Sequence, residues 1–274
     1  MNTCKSQVSS IFLCLLIVLC FKAAVAAEAQ SVAEIDAKIA QFITRIEKPS
    51  ETGNDGVSAA NTQLLAYMKR VLADSRLLGA PLPKAHEAGL KAYTSEDGRV
   101  CFYSWDTETG GTMHFFYDFV QWKGKNGVHW LKLHPIEGAE GPNMDCGFFY
   151  HDLHSVRTAD GSTIYLPTYR SIYSHPEHTD GIMAYSIVGD KLVEVPAFQA
   201  KSKSLTSIEV PASEVEWDDN DLIKFKDHEQ TLLIPITTKD GQVSGRFLTY
   251  RFNGHKYVFD EKAHEKPAPQ EKGK

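Results

Sequence analysis

The chain has 274 residues, 42% of them hydrophobic and 11% aromatic, with 29 basic against 35 acidic side chains and a net charge of −6. That is enough apolar material for a sizeable core. The acidic balance leaves no basic stripe to neutralise phosphates, so nucleic acid and anionic membrane surfaces are excluded as expected partners.

The first element is a leader. Lys5 precedes the apolar run Ile11–Phe21, and small residues come after it, with Ala24 and Ala26 placed for cleavage before Ala27 and Val25 and Ala27 for cleavage before Glu28. The run is too short to cross a bilayer, which takes roughly 17–25 apolar residues. Leu19, directly before Cys20, is too large for a lipoprotein signal. Residues 1–27 are expected to be a signal peptide, the mature chain to be secreted or periplasmic, and no stable membrane insertion to remain after cleavage. Losing Lys5 and Lys22 moves the charge from −6 to −8, and Cys4, Cys14 and Cys20 leave as well. The surviving Cys101 and Cys146 are expected to pair in an oxidising compartment, closing a loop worth about 4 kcal/mol. A nucleophilic Cys146 is the competing reading.

Two helices come next. Ser31 and Glu34 have capping-box spacing, and Val32, Ile35, Ile39, Phe42, Ile43 and Ile46 form one apolar stripe that Pro49 ends. "SETGNDGV" has the composition of a loop, and a second helix is predicted from about Asn61, with Leu64, Leu65, Met68, Val71 and Leu72 on one face up to "GAPLP". Neither helix can bury its stripe alone, so the pair is expected to pack on the next domain.

From about Leu90 the period shortens to that of strands. Segments such as "RVCFYSW", "TMHFFYDFVQW", "STIYLPTYRSIY" and "QTLLIPIT" alternate with Asp-Gly and Asn-Gly turn signals at Gly98, Gly161, Gly181, Gly241 and Gly254. "TSEDGRVCFYSW", "TADGSTIYLPTY" and "TKDGQVSGRFLTY" look like blade hairpins of a β-propeller, but their spacing is uneven where a propeller keeps a fixed period of roughly 40–50 residues. The expected fold is α+β: an N-terminal helical hairpin packed on an antiparallel β-meander, as a sandwich or open barrel rather than a partial propeller. Residues 28–89 would hold the hairpin and linker, 90–260 the β-domain and 261–274 a disordered tail.

The chemistry is concentrated in "SWDTETGGTMHFFYDF", Ser104–Phe119. Asp106 and Glu108 flank a turn, where a carboxylate more often accepts backbone N–H bonds than acts as acid or base. After Gly110 and Gly111 the strand alternates, Met113, Phe115, Tyr117 and Phe119 against His114, Phe116, Asp118, Val120 and Trp122. The first set is expected in the core. The second mixes polar and aromatic groups, which suits sugar rings or peptide, so Trp105, Asp106, His114, Phe116 and Trp122 are the candidate ligand-binding residues. The favoured reading nevertheless makes the same stretch a packed corner, and these residues are its face only if the stretch is functional.

The histidine pairs His151/His154 and His175/His178 resemble metal ligands only in number. Three residues apart on a strand, the first pair faces opposite ways unless a bulge intervenes. "EVEWDDND", Glu214–Asp221, lacks the spacing of a calcium loop. No metal site and no cofactor are expected, and no GxSxG, Walker, GxGxxG or CxxC motif marks the mature chain as an enzyme. The favoured function is therefore a non-catalytic binding or envelope-associated module with a carbohydrate or peptide ligand. A hydrolase of envelope or extracellular polymers and a metal-binding protein are the alternatives. Acidic and histidine side chains converging in space would favour the enzyme, and a flat aromatic face would favour binding.

Overall fold

A computed structural model describes residues 30–134, 146–174, 177–213 and 222–263. The leader, His175, the acidic run 214–221 with Trp217, and residues 264–274 lie outside them. Among the described residues no helix is long and apolar enough to cross a membrane.

Helix α1, Val32–Ile46, starts at the capping box: the Ser31 side chain accepts from the Glu34 amide, and Glu34 accepts from the Ser31 amide at 2.7 Å. Its stripe from Ile35 to Ile46 is buried. Helix α2, Pro49–Val71, begins twelve residues before Asn61, the start expected from its apolar pattern. Pro49 both ends α1 and opens α2, because its missing N–H costs nothing in a first turn. The loop-like composition survives only as a break at Gly53, whose φ of 69° is left-handed. A short helix α3, Pro83–Glu87, is capped from a distance by buried Asp36, whose carboxylate accepts the amides of Lys84 and Ala85 at 3.2 and 2.8 Å.

Four antiparallel strands come next in the order β1-β2-β3-β4: Lys91–Thr94, Val100–Asp106, Phe116–Lys123 and Val128–Lys132. Alternation along β2 sends Cys101, Tyr103 and Trp105 into one core with the helices, joined by Phe119 of β3. Two buried amides lock this contact. Gln121 accepts from the Tyr103 hydroxyl and donates to the carbonyls of Leu72 and Asp74 beyond α2. Asn61 donates to the Val57 and Thr107 carbonyls and accepts from Trp105 Nε1.

The opposite face of this first sheet carries Val100, Phe102, Val120 and Trp122 against Tyr150, Tyr165, Tyr169 and Tyr185 of a second sheet. That sheet contains β5 Phe149–Arg157, β6 Thr163–Ile172, β7 Glu177–Met183, β8 Tyr185–Val188, β9 Lys191–Glu194 and β12 Ser207–Ser213. Its order is β12-β7-β6-β8-β9, with β5 also paired to β6. A third sheet, β10 Phe198–Ala200, β11 Lys203–Leu205, β13 Lys224–Lys226, β14 Thr231–Thr237, β15 Val243–Phe252 and β16 Tyr257–Phe259, supplies Phe198, Leu232, Ile234 and Tyr257 to a core shared with Ile164, Leu166 and Ile182. One pair, β10 with β16, is parallel. The architecture is α+β and rich in antiparallel meanders, and the described strands form no closed barrel. Gly181 does not turn. It lies inside β7 because the Tyr169 ring covers it, and a Cβ there would meet the ring at 2.2 Å.

The expected disulfide is absent: Cys101 and Cys146 are both buried and are not bonded to each other. Cys101 pairs with Gln121 and faces the helices, whereas the Cys146 carbonyl accepts the amide of Phe116, opposite Asp106. Five strand residues separate those levels, roughly 17 Å, far beyond the roughly 7 Å a disulfide spans. Burial pushes the Cys101 thiol up to about 11, so it is a poor nucleophile. Titration of the unfolded, unreduced chain should find both thiols rather than none.

Asp190 joins the turns of the first two sheets. Its carboxylate accepts the amide and side chain of Asn126 at 2.7 and 2.5 Å, while its carbonyl accepts Trp122 Nε1 at 3.0 Å. The backbone bond from Asn126 leads the causes that hold this carboxyl below its ordinary range. Its folded value is depressed, so its contribution is present above the unfolded value of about 3.9 and is lost as pH falls through the folded one. Urea midpoints of wild type and Asp190→Asn, measured at falling pH, should differ most near neutrality and converge in acid.

Candidate functional site

Asp106, His114, Arg170 and Asp180 lie toward one end of the first two sheets, where β2 and β6 finish and β3, β5 and β7 begin. The Gly-Gly turn shapes this end. Gly111 has a φ of 67°, and a Cβ on Gly110 would lie 1.9 Å from the Met113 carbonyl, so neither position accepts another residue without strain. Asp106 Oδ1 accepts the Glu108 amide at 2.8 Å, as the turn chemistry predicts, whereas Thr109 bonds the Thr107 hydroxyl instead of an amide. Asp106 Oδ2 is held by His114 Nδ1. The His114 amide donates to the Ile172 carbonyl at 3.2 Å, and its ring stacks on Phe116 at 6.2 Å. Bonding to Asp106 raises the imidazole above its ordinary value.

Of the five predicted ligand residues, only Asp106 and His114 meet at an accessible place. Trp105, Phe116 and Trp122 are core residues at 0%, 1% and 8% exposure, and they offer no aromatic face. The alternation along β3 is present, but helices cover one side and the second sheet covers the other. Trp105 and Trp122 consequently point in opposite directions. Phe115, expected in the core, is only half-buried.

Asp118 and His134 are not among the residues that the sequence pattern singles out. Asp118 is completely buried; its two oxygens receive the His134 amide at 3.2 Å and His134 Nδ1 at 2.5 Å, with the Tyr150 hydroxyl 3.5 Å away. The His134 ring rests 4.0 Å from that of Phe148, which stacks at 3.6 Å on Tyr169. One signal was available: Asp118 is a lone carboxylate between Phe116 and Val120 on one face of β3. Compared with known proteins, the chain matches no family model, no curated protein and no solved structure.

The histidines regroup in space. A bulge at β5 between Tyr150 and Asp152 turns His151 toward Asp180 of β7, while His154 goes to Asp152 and Glu229, each at 3.4 Å. His178 Nε2 lies 3.1 Å from Asp180 Oδ2 without the alignment of a hydrogen bond, and Arg170 grips the same carboxylate through Nε and Nη2 at 3.1–3.3 Å. One histidine from each expected pair thus converges on a single acid. Buried on every side, this group is suited to holding strands β6 and β7 together. His134 is suited to chemistry, because a buried carboxylate holds its Nδ1 and orients the ring.

Proposed function

We propose that this chain is a secreted or periplasmic hydrolase of envelope or extracellular polymers, with Asp118 and His134 as its acid–base pair. The observation that carries the reading is His134, 17% exposed and held through Nδ1 by a fully buried carboxylate. In such a pair Nε2 takes a proton from an attacking water and returns it to the leaving group, while the carboxylate stabilises the imidazolium between the two steps. Convergence of acidic and histidine side chains, set against the burial of the aromatic rings, favours this over an aromatic binding face. The leader-like residues 1–27 supply the extracellular setting. The test is release of soluble fragments or reducing ends from cell-wall, polysaccharide and protein polymers. His134→Ala should lower turnover by at least about 100-fold in protein that is still folded, beside the loss of stability from leaving buried Asp118 without its imidazole, and His129→Ala should keep turnover. Undiminished turnover in His134→Ala would overturn the reading.

A non-catalytic binding module is the second reading, favoured by a cleft of about 470 Å³ at the other end of the same sheets, lined by Asp97, Arg99, Ser155 and Arg157. Its polar walls suit a carbohydrate or peptide segment. Polymer binding without turnover, weakened by Arg157→Ala, would select it.

A further inference from the structure

The sequence pattern points to no metal site. Of its two histidine pairs, His151 and His154 turn to different acids, and His175 lies outside the described residues. Another group of side chains has the spacing of metal ligands. We propose that Asp106, Glu108 and His114 form a binding site for a first-row divalent transition ion such as Zn²⁺ or Mn²⁺.

The ligand atoms of Asp106, Glu108 and His114 all lie within 4.8 Å of one another. An ion bonded at about 2.0–2.2 Å needs its donors about 3–4.4 Å apart, so small side-chain rotations bring all three into range. The donor set is mixed. Two carboxylates with an imidazole suit Zn²⁺ or Mn²⁺ better than Ca²⁺, which takes six to eight oxygens.

Each donor is carried by a different constraint. Asp106 ends β2 in register with buried Phe116, Glu108 is tied back by its amide to Asp106, and His114 is held by the Ile172 carbonyl and the Phe116 ring. Glu108 is exposed and Asp106 and His114 are partly so, which leaves an entry path.

The proposal is independent of Asp118 and His134, so its test uses binding and not turnover. The exported chain, stripped with chelator, should bind one Zn²⁺ or Mn²⁺ per molecule by equilibrium dialysis and calorimetry, and its melting temperature should climb with ion concentration. Co²⁺ should give visible absorption bands of a nitrogen- and oxygen-ligated ion. Asp106→Asn and His114→Gln should each weaken binding by at least about tenfold, while His129→Ala, in another histidine–aspartate pair, leaves it unchanged. No stoichiometric binding by wild type at millimolar ion would overturn the proposal. So would ion binding that survives intact in folded Asp106→Asn and His114→Gln.

Discussion

Replacing Asp180 with alanine should cost about 3–5 kcal/mol of folding stability, the usual result of deleting one partner of a buried ion pair. Asp180 is fully buried and Arg170 is 6% exposed, with Nε and Nη2 of the guanidinium on the carboxylate. Removing the acid strips Arg170 of its carboxylate in a site that water barely reaches, and His178 loses the group 3.1 Å from its Nε2. Domains of ordinary stability have only about 5–15 kcal/mol in total, so the variant should melt far below wild type or fail to accumulate. The pair itself contributes much less than this figure, because burying both charges carries its own desolvation penalty. Arg170→Met combined with Asp180→Leu should therefore be more stable than Asp180→Ala alone. Urea denaturation of the three proteins checks this. A loss under about 1 kcal/mol in Asp180→Ala would mean that solvent reaches the group.

Trp105→Ala should cost a similar amount, about 3–5 kcal/mol, for a different reason. The indole is completely buried, lies parallel to Phe119 at 5.9 Å and meets Tyr117 at 5.4 Å. Its Nε1 is also the donor that satisfies Asn61 Oδ1 at 3.2 Å, and Asn61 in turn holds the Thr107 carbonyl at 2.8 Å. Trp105→Phe separates the two contributions: it keeps most of the ring contact but leaves a buried acceptor without its donor, at about 1–3 kcal/mol. Asn61→Ala removes the same link from the helix side. Calorimetric melting of Trp105→Ala, Trp105→Phe and Phe115→Ala should rank them in that order, because Phe115 is half-buried. Equal losses at Phe115 and Trp105 would contradict the packing of the helices on the first sheet.

Much of this site is legible in the residues, and what is not has specific causes. The Gly-Gly turn, the Asx bond from Asp106 and the alternation of β3 all arise from local geometry. The alternation shows which side chains share a face but not how many faces are covered. Phe116 and Trp122 look like an outward surface because an antiparallel sheet commonly leaves one side to water. Here a second sheet lies on that side. Asp118 could have been found by asking why a carboxylate stands in register with Phe116 and Val120. His134 could not, since its partner is sixteen residues away across a strand pair.

The amino-acid order by itself determined the local structure: the capping box of α1, the apolar stripes of both helices, most strand segments and the glycines at Gly98, Gly161 and Gly241 with their positive φ. These depend on neighbours within four residues, through hydrogen bonds and steric limits that act in any context. Tertiary structure alone decided the rest. It placed Cys101 and Cys146 at different levels along β3, moved the start of α2 to Pro49, and sent His151 and His178 to one aspartate. It also fixed His114 beside Asp106 and Glu108 through the Ile172 carbonyl. Such outcomes are set by which surfaces are buried together, and burial depends on layers far apart in the chain.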